Sequence, residues 1–315
     1  MFEILLHYRE LDTWAAHVGG TSPAEFHLNS VSENVDLLSL TDLWPRIDIL
    51  WHVLTPVTKH HIDAAHSLKL IQKLGVGVNT IDLDAAKKRG IAVCNMPGAN
   101  SNAVAEFTIG LMLSALRRIA YLNARTRQGL WRVEPEVADS FKELGGKTVG
   151  VVGFGTIGQR VARLLTAFDA QVIYWSRRGR SSTVGKQVEL EELFERADLI
   201  SLHLPATSDT SMLVGESLLQ RAKPGVILIN TARGEVVDEK ALLKFLNLGR
   251  VSLAVLDVFA QEPVPTTSPL LMHPRVLATP HVAWLTSDCL VACRTLALEN
   301  ARRLVAGLPL NNRVM

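Results

Sequence analysis

The sequence has little cysteine, three residues in 315. Cys94, Cys289 and Cys293 are too few and odd in number for a disulfide framework, which fits a reducing, cytoplasmic setting. Cys289 and Cys293 could share a helix face, but without further His or Cys partners they make a poor zinc site and read as buried thiols. The histidines, His60 and His61 among them, show no metal-ligand spacing, so no metal site is expected. Excess charge is also absent. The 33 Lys and Arg nearly cancel the 31 Asp and Glu, so no global field recruits nucleic acid or an anionic membrane, and an anionic partner must be caught locally. Long apolar runs are missing too. Phe107 to Leu116 contains Thr108, Gly110 and Ser114 and stops at Arg117 and Arg118, short of the roughly 20 residues that a membrane span needs. The opening segment Met1 to Leu6 carries Glu3 and too short an apolar run for a signal peptide; it reads as a strand. There is no long repeat, low-complexity tract or block of like charge.

What is present is core material. Apolar residues make up 48% of the chain, enough for two cores, and a chain of this length exceeds what one core usually supports. Short β-rich runs alternate with helical patterns. They are Ile47 to Leu54, Leu68 to Lys73, Ala92 to Cys94, Thr148 to Val152, Gln171 to Trp175, Leu199 to Leu204, Val226 to Asn230 and Val251 to Leu256. Several are apolar throughout, as parallel strands covered on both faces must be. The pattern predicts an α/β chain with two doubly wound parallel-sheet domains. A turn-rich break at Asn95 to Asn102 marks the boundary. One long helix is expected after it, from about Ala103 to about Gln128, and another from Thr286 to Ala306, closed by Gly307. The division is a first domain over 1–98, completed by the C-terminal segment 286–315, and a second domain over 99–285.

The run Lys147 to Arg160 is a strand entering a G-x-G-x-x-G turn that opens a helix carrying Val161, Leu164, Leu165 and Phe168. Gly153 permits the tight turn, Gly155 lets a pyrophosphate approach the backbone, and Gly158 lets helix and strand pack closely. Gly153, Gly155, Thr156, Ile157 and Gly158 thus form a candidate phosphate cradle. Glycines alone would be a weak sign, but the preceding strand, the amphipathic helix and a second strand about 20 residues on supply the required context. That second strand ends in Ser176, Arg177 and Arg178 where an NAD site would place a carboxylate on the ribose 2′-hydroxyl. A planar guanidinium suits a 2′-phosphate, so NADP(H) is favoured over NAD(H), which stays possible; the bland reading is a solvated basic loop.

From about Leu68 to Ala283 the motifs fall in a telling order: Leu74 to Asn79, Gly153 to Gly158, Leu202 to Pro205, Asn230 to Asp238, Leu256 to Phe259, Glu262-Pro263 and Thr279 to Trp284. In these the chain resembles the D-isomer-specific 2-hydroxy-acid dehydrogenases, and among them the NADP-linked glyoxylate and hydroxypyruvate reductases. The first 60 or so residues resemble them only in pattern. The resemblance implies a Rossmann cofactor domain and a flavodoxin-like substrate domain with the active site in the cleft between them, and a homodimer. The reaction it implies is hydride transfer between NADPH and a small 2-keto acid, giving the D-2-hydroxy acid.

Chemistry asks for the same residues. Reducing a 2-keto acid needs a cation on the carboxylate and a proton donor for the developing alkoxide. Arg233 follows the strand Val226 to Asn230, at the end where open α/β sheets bind ligands. His281 is the proton donor and Glu262 the group that orients and stabilises its imidazolium. Without the family order, a surface arginine and a structural histidine would be the commoner readings. The resemblance further implies that the amides of Val76 and Gly77 also bind the substrate carboxylate, against ordinary tight-turn geometry as the alternative. It puts Asp257 on the nicotinamide carboxamide beside Thr231 and Ala232, and gives His203, Pro205 and Thr210 the adenosine side. Thr108, His281 and Ala283 would also face the cofactor, and Trp284 would wall the pocket.

Two departures narrow the substrate. Members acting on phosphoglycerate usually carry an arginine on the loop after the third strand, where this chain has His52, and a C-terminal regulatory extension is not expected after Met315; a phosphorylated, serine-regulated substrate is therefore not expected. Glu262 argues against the formate dehydrogenases, which lack that carboxylate. The rivals are a dinucleotide-sensing binding protein of the same fold and a dehydrogenase of a different acid.

Overall fold

Runs of leucine, isoleucine and valine that are apolar at every position bury both faces, and here they become strands of two parallel sheets. The computed structural model describes residues 1–8, 25–177, 179 and 182–315. Contacts divide the chain into Met1–Asn100 with Thr286–Met315, and Ser101–Leu285.

The first unit is a five-stranded parallel sheet of β1 (Phe2–His7), β2 (Phe26–Val31), β3 (Ile49–His52), β4 (Leu70–Lys73) and β5 (Ala92–Cys94), in the order β2-β1-β3-β4-β5. That is the flavodoxin-like order, in which β1 and β3 flank the point where the winding reverses. Leu5, Leu50, Ile71 and Val93 pack on one face against Ile62 and Ala65 around α1 (Lys59–Ala64) and Ala85 and Ala86 of α2 (Leu83–Lys88). β2, with its mixed Phe26-His27-Leu28-Asn29-Ser30-Val31 sequence, has no long apolar run to announce it and was not among the expected strands.

The second unit opens with α3 (Ser101–Arg117), and α4 (Ile119–Arg127) follows. A single helix was expected from about 103 to 128. The backbone breaks it at Arg118, which adopts a left-handed conformation with φ 50°, and no helix can continue through such a residue. The seven strands are β6 (Thr148–Val152), β7 (Gln171–Trp175), β8 (Lys186–Gln187), β9 (Leu199–Leu202), β10 (Val226–Asn230), β11 (Val251–Leu256) and β12 (Val276–Ala278). Their order is β12-β11-β10-β9-β6-β7-β8, all parallel, the doubly wound dinucleotide-binding arrangement with its switch point between β6 and β9. Successive residues feed opposite layers. Leu228 joins one core with Leu193, Phe194, Leu242 and Phe245, while Ile227 and Ile229 join Ile109, Met112, Val161 and Leu165 on the other face.

Around that sheet lie α5 (Thr156–Thr166), α6 (Leu190–Arg196), α7 (Glu216–Arg221) and α8 (Glu239–Asn247). α5 ends before Phe168, which is 39% exposed and not part of the buried helix face expected of it.

The last helix, α9 (Ser287–Val305), belongs to the first unit. Thr286 caps it by accepting from the Cys289 amide, as an N-cap threonine should. Buried Asn300 donates to Gln72 at 2.7 Å and to the Asn311 carbonyl at 3.0 Å. A two-residue polar link in an apolar interior is costly to break, so it fixes α9 on β4. All three cysteines are buried free thiols. Among the described residues no helix is long and apolar enough to cross a membrane, and no three His, Cys, Asp or Glu side chains form a metal-binding group.

Candidate functional site

The glycine turn carries its own test of purpose. Gly153 has φ 96°, and a Cβ there would lie 2.4 Å from the His203 carbonyl oxygen. A Cβ at Gly158 would lie 2.1 Å from the Gly153 carbonyl oxygen, so turn and helix touch backbone to backbone. Gly155 is different: a Cβ there would meet no atom within 4 Å. Fold packing does not explain that glycine, whereas room for a phosphate does. It stands as N-cap of α5, whose first amides, including those of Thr156, Ile157 and Gly158, have no carbonyl within the helix to bond. The residues therefore fit a pyrophosphate. Phe154 stacks on Tyr174 of β7 with centroids 3.7 Å apart, fixing the turn beside the second strand.

β7 delivers half-buried Ser176 and then exposed Arg177, whose Nη1 pairs with the Asp209 carboxylate at 2.6 Å. Arg178 lies outside the described residues. The hydroxyl of Ser201, in β9, meets Nε2 of His203, just beyond the strand, at 2.9 Å, and burial draws the His203 imidazole down to about 4, so the ring is neutral near pH 7. Pro205 and Thr210 close the following turn. The Thr210 hydroxyl donates to the Pro205 carbonyl at 2.6 Å and accepts from the Thr207 amide at 2.9 Å, so this side chain shapes the turn and its polar capacity is already engaged.

The reactive residues come from three neighbouring strand ends, Arg233 beyond β10, Glu262 beyond β11 and His281 beyond β12. Asn230, the last residue of β10, is buried and clamps the loop beyond it: its side chain accepts from the Ala232 amide at 3.0 Å and donates to the Arg233 carbonyl at 2.9 Å. Thr231 meets Thr108 of α3, hydroxyl to hydroxyl, at 2.9 Å. Arg233 is thereby held at the carboxyl edge of the sheet. Burial lowers its pKa from the ordinary value, opposed by the nearby Glu235 and Glu262 carboxylates, and an arginine so placed keeps its charge. Gly234 makes the neighbouring loop reachable. A Cβ there would lie 1.9 Å from the Phe259 carbonyl carbon and 2.3 Å from the Ala260 nitrogen, so only glycine lets the two loops abut.

Across that contact Glu262 accepts from the Phe259 amide at 2.9 Å and from His281 Nδ1 at 2.6 Å. A carboxylate only accepts, so Nδ1 carries the hydrogen and Nε2 is left for chemistry. Burial raises the Glu262 carboxyl, but the hydrogen bond and charge of His281, the Phe259 amide and Arg233 outweigh it, and the group sits below its ordinary value. His281 itself has φ 54°, a conformation an L-residue adopts at a cost and which its surroundings must hold. Asp257 does the holding. Its main-chain carbonyl accepts from the His281 amide at 2.8 Å, and its carboxylate accepts from the Thr279 hydroxyl at 2.6 Å and the amides of Val282 and Ala283 at 3.0 and 2.9 Å. Asp257 is 1% exposed. Trp284, half-buried, follows directly. The sequence reading missed this bracing role of Asp257, and the clamp at Asn230, because both depend on backbone groups that have no sequence pattern of their own.

In the other unit, Val76 and Gly77 lie in the loop after β4, with Val76 39% exposed and its carbonyl accepting from Asn95 at 2.8 Å. His52 ends β3, fully buried, with Nε2 2.9 Å from the Thr80 hydroxyl. Burial, with the charges of Lys73 and His7, pushes its pKa well down. His52 is therefore a neutral core residue.

A doubly wound sheet with a glycine cradle at its switch point defines a dinucleotide-binding protein of the α/β class. The match is closer than that. Residues 109–283 fit the model of the D-isomer specific 2-hydroxyacid dehydrogenase, NAD binding domain, and the chain belongs to that family. It is 39% identical over 266 residues to a hydroxypyruvate reductase of Thermotoga maritima, covering 83% of this chain and 86% of that one. It is 37% identical over 264 residues to a D-3-phosphoglycerate dehydrogenase of Archaeoglobus fulgidus, covering 82% of this chain but spanning only 50% of that relative's length. The crystal structure of the TT0316 protein from Thermus thermophilus matches all of both chains with a TM-score of 0.90 and 32% identity.

Proposed function

We propose that the protein reduces a small, unphosphorylated 2-keto acid of the glyoxylate or hydroxypyruvate type to the D-2-hydroxy acid. The observation that carries this reading is the 2.6 Å pair between His281, beyond β12, and Glu262, on the loop after β11 that abuts the loop of Arg233. In the proposed mechanism the Arg233 guanidinium grips the substrate carboxylate and polarises the keto oxygen. The amides of Val76 and Gly77 are assigned to the same carboxylate. His281 Nε2 gives its proton to the oxygen as negative charge develops there, and Glu262 stabilises the imidazolium through Nδ1 until the proton leaves. The nicotinamide, when bound, supplies the hydride. Gly153 to Gly158 would hold its pyrophosphate; Thr108, Thr231, Ala232, Asp257, Ala283, His203, Pro205 and Thr210 would surround the rest, and Trp284 would bound the substrate's side chain.

Two observations bear on the finer choices. His52 supports an unphosphorylated substrate, since a neutral buried imidazole offers no cation to a phosphate. Ser176 in place of a carboxylate at the end of β7, with Arg177 directly after it, supports NADP(H) over NAD(H). For assembly we favour a homodimer: α4 buries no residue, and Trp131 beyond it is 85% exposed, an apolar surface that a second copy would cover. Three free buried thiols suit the cytoplasm.

Initial rates of nicotinamide oxidation with glyoxylate, hydroxypyruvate and phosphohydroxypyruvate, each with NADPH and NADH, test the reading. Turnover of the first two with NADPH is expected. A strong preference for the phosphorylated acid would overturn the substrate assignment, and tight dinucleotide binding without turnover would favour a sensing role.

A further inference from the structure

We propose that Asp209 sets the balance between the two nicotinamide cofactors by serving as a built-in counter-ion for Arg177, one that a 2′-phosphate must displace and a 2′-hydroxyl leaves in place. The inference rests on Arg177 lying at the adenosine ribose, as the proposed function has it.

The sheet order puts β6 between β9 and β7. Arg177 stands just beyond the carboxyl end of β7, and Asp209 on the turn beyond β9. Their 2.6 Å ion pair therefore links the strands flanking the glycine turn, at the edge where the adenosine half of a dinucleotide binds. The acidic residue that an NAD site carries at the end of the second strand is replaced here by Ser176. The only carboxylate that the described residues pair with Arg177 comes from the opposite side of the turn.

Asp209 is held in position. Its neighbour Thr210 is 6% exposed and locks the turn through Pro205 and Thr207. Beyond it, the Met212 amide donates to the Glu235 carbonyl at 2.8 Å. Arg177 and Asp209 themselves are more than half exposed, 57% and 68%. An ion pair so exposed contributes little to folding, and either partner can exchange it for another ion at small cost. A phosphate offers Arg177 two oxygens and more charge than a carboxylate. To take the guanidinium it must break the existing pair and then sit beside the released carboxylate. Both effects weaken NADP(H) binding and neither touches NAD(H). Asp209 thus tempers a preference that Arg177 creates.

The test measures dissociation constants directly, by nucleotide fluorescence, for NADPH and NADH on the wild type, Asp209→Asn, Arg177→Gln and the double variant. 2′,5′-ADP and 5′-AMP serve as competitors. Asp209→Asn should tighten NADPH and 2′,5′-ADP by roughly two- to fivefold, the range of an exposed ion pair, while leaving NADH and 5′-AMP unchanged. The gain should vanish in the Arg177→Gln background. An unchanged NADPH constant in Asp209→Asn, equal tightening of both cofactors, or a gain that survives Arg177→Gln would each overturn the proposal. The cofactor reading has a separate outcome: if the wild type binds NADPH no tighter than NADH, that preference fails, while an NADPH-selective gain in Asp209→Asn would still establish Asp209 as the residue that holds it down.

Discussion

Replacing Glu262 by glutamine keeps the shape of the side chain and removes its charge. The Phe259 amide, 2.9 Å away, retains an oxygen to bond. What is lost is the charge in the 2.6 Å contact with His281 Nδ1, between side chains only 19% and 32% exposed. A hydrogen bond to a charged group at such a site contributes about 1.5–3 kcal/mol. Because the imidazolium matters while the proton is moving, the loss should fall on kcat, on the order of 10- to 150-fold, with KM little changed. Stopped-time assays at saturating keto acid and cofactor would measure it. The same variant has an acid signature. The Glu262 carboxyl sits below its ordinary value of 4.5 when folded, so the unfolded chain takes up this proton first as pH falls. Its contribution to stability is therefore complete above about pH 4.5 and disappears as the pH drops through the folded value. The glutamine variant has no such component, so the fall in denaturation midpoint from about pH 5 to about pH 3 should be smaller in Glu262→Gln. A variant within threefold of wild-type kcat would refute the role given to this carboxylate.

Three further predictions follow from the packing. Gly234→Ala places a methyl 1.9 Å from the backbone of Phe259; the loops must part, at a cost of about 3 kcal/mol or more, and both the urea midpoint and turnover should fall. Asp257→Asn keeps one acceptor oxygen for three donors and turns an NH2 towards backbone amides; about 1–3 kcal/mol is expected per group left unsatisfied, and kcat should drop because His281 loses its brace, whereas full activity would show that the loop holds itself. His203 titrates at about 4 in the fold against an ordinary 6.5, so the unfolded state binds its proton first; the stability tied to the neutral ring is complete above pH 6.5 and is lost towards pH 4, up to about 3 kcal/mol, and His203→Gln should flatten the acid limb of a denaturation-midpoint profile.

The sequence was most legible where chemistry needs continuous patterns. The runs at Thr148 to Val152, Gln171 to Trp175 and Val226 to Asn230 read as strands because buried parallel strands must be apolar at every position, and each lies where expected. The glycine cradle was legible for the same reason, since spacing and steric need coincide. β2, β8 and β12 were not: two are short and one is mixed in composition, and sheet pairing forms them more than intrinsic preference does. The break at Arg118 had no signal either, because Leu116 to Leu122 is good helical sequence; at the break the Leu116 carbonyl accepts from the distant Lys142 amide at 3.0 Å. At the site, Arg233, Glu262 and His281 were legible only through the order of the family motifs around them, since residue type alone reads as a surface arginine and a structural histidine. The supports were not, since Asn230 and Asp257 act through backbone amides that the fold alone brings within reach. Arg177 read as a clamp for a 2′-phosphate or as part of a solvated basic loop, and nothing in the sequence set Asp209 against it.

Proton delivery by His281 is the step on which the proposed reduction depends. The direct measurement compares single-turnover reduction of hydroxypyruvate by NADPH in the wild type and in His281→Ala, with cofactor binding checked in both. The account predicts that the variant binds NADPH normally and loses at least about a hundredfold in the reduction rate, the scale of a general acid. A His281→Ala enzyme that binds cofactor and reduces the keto acid at close to the wild-type rate would contradict it.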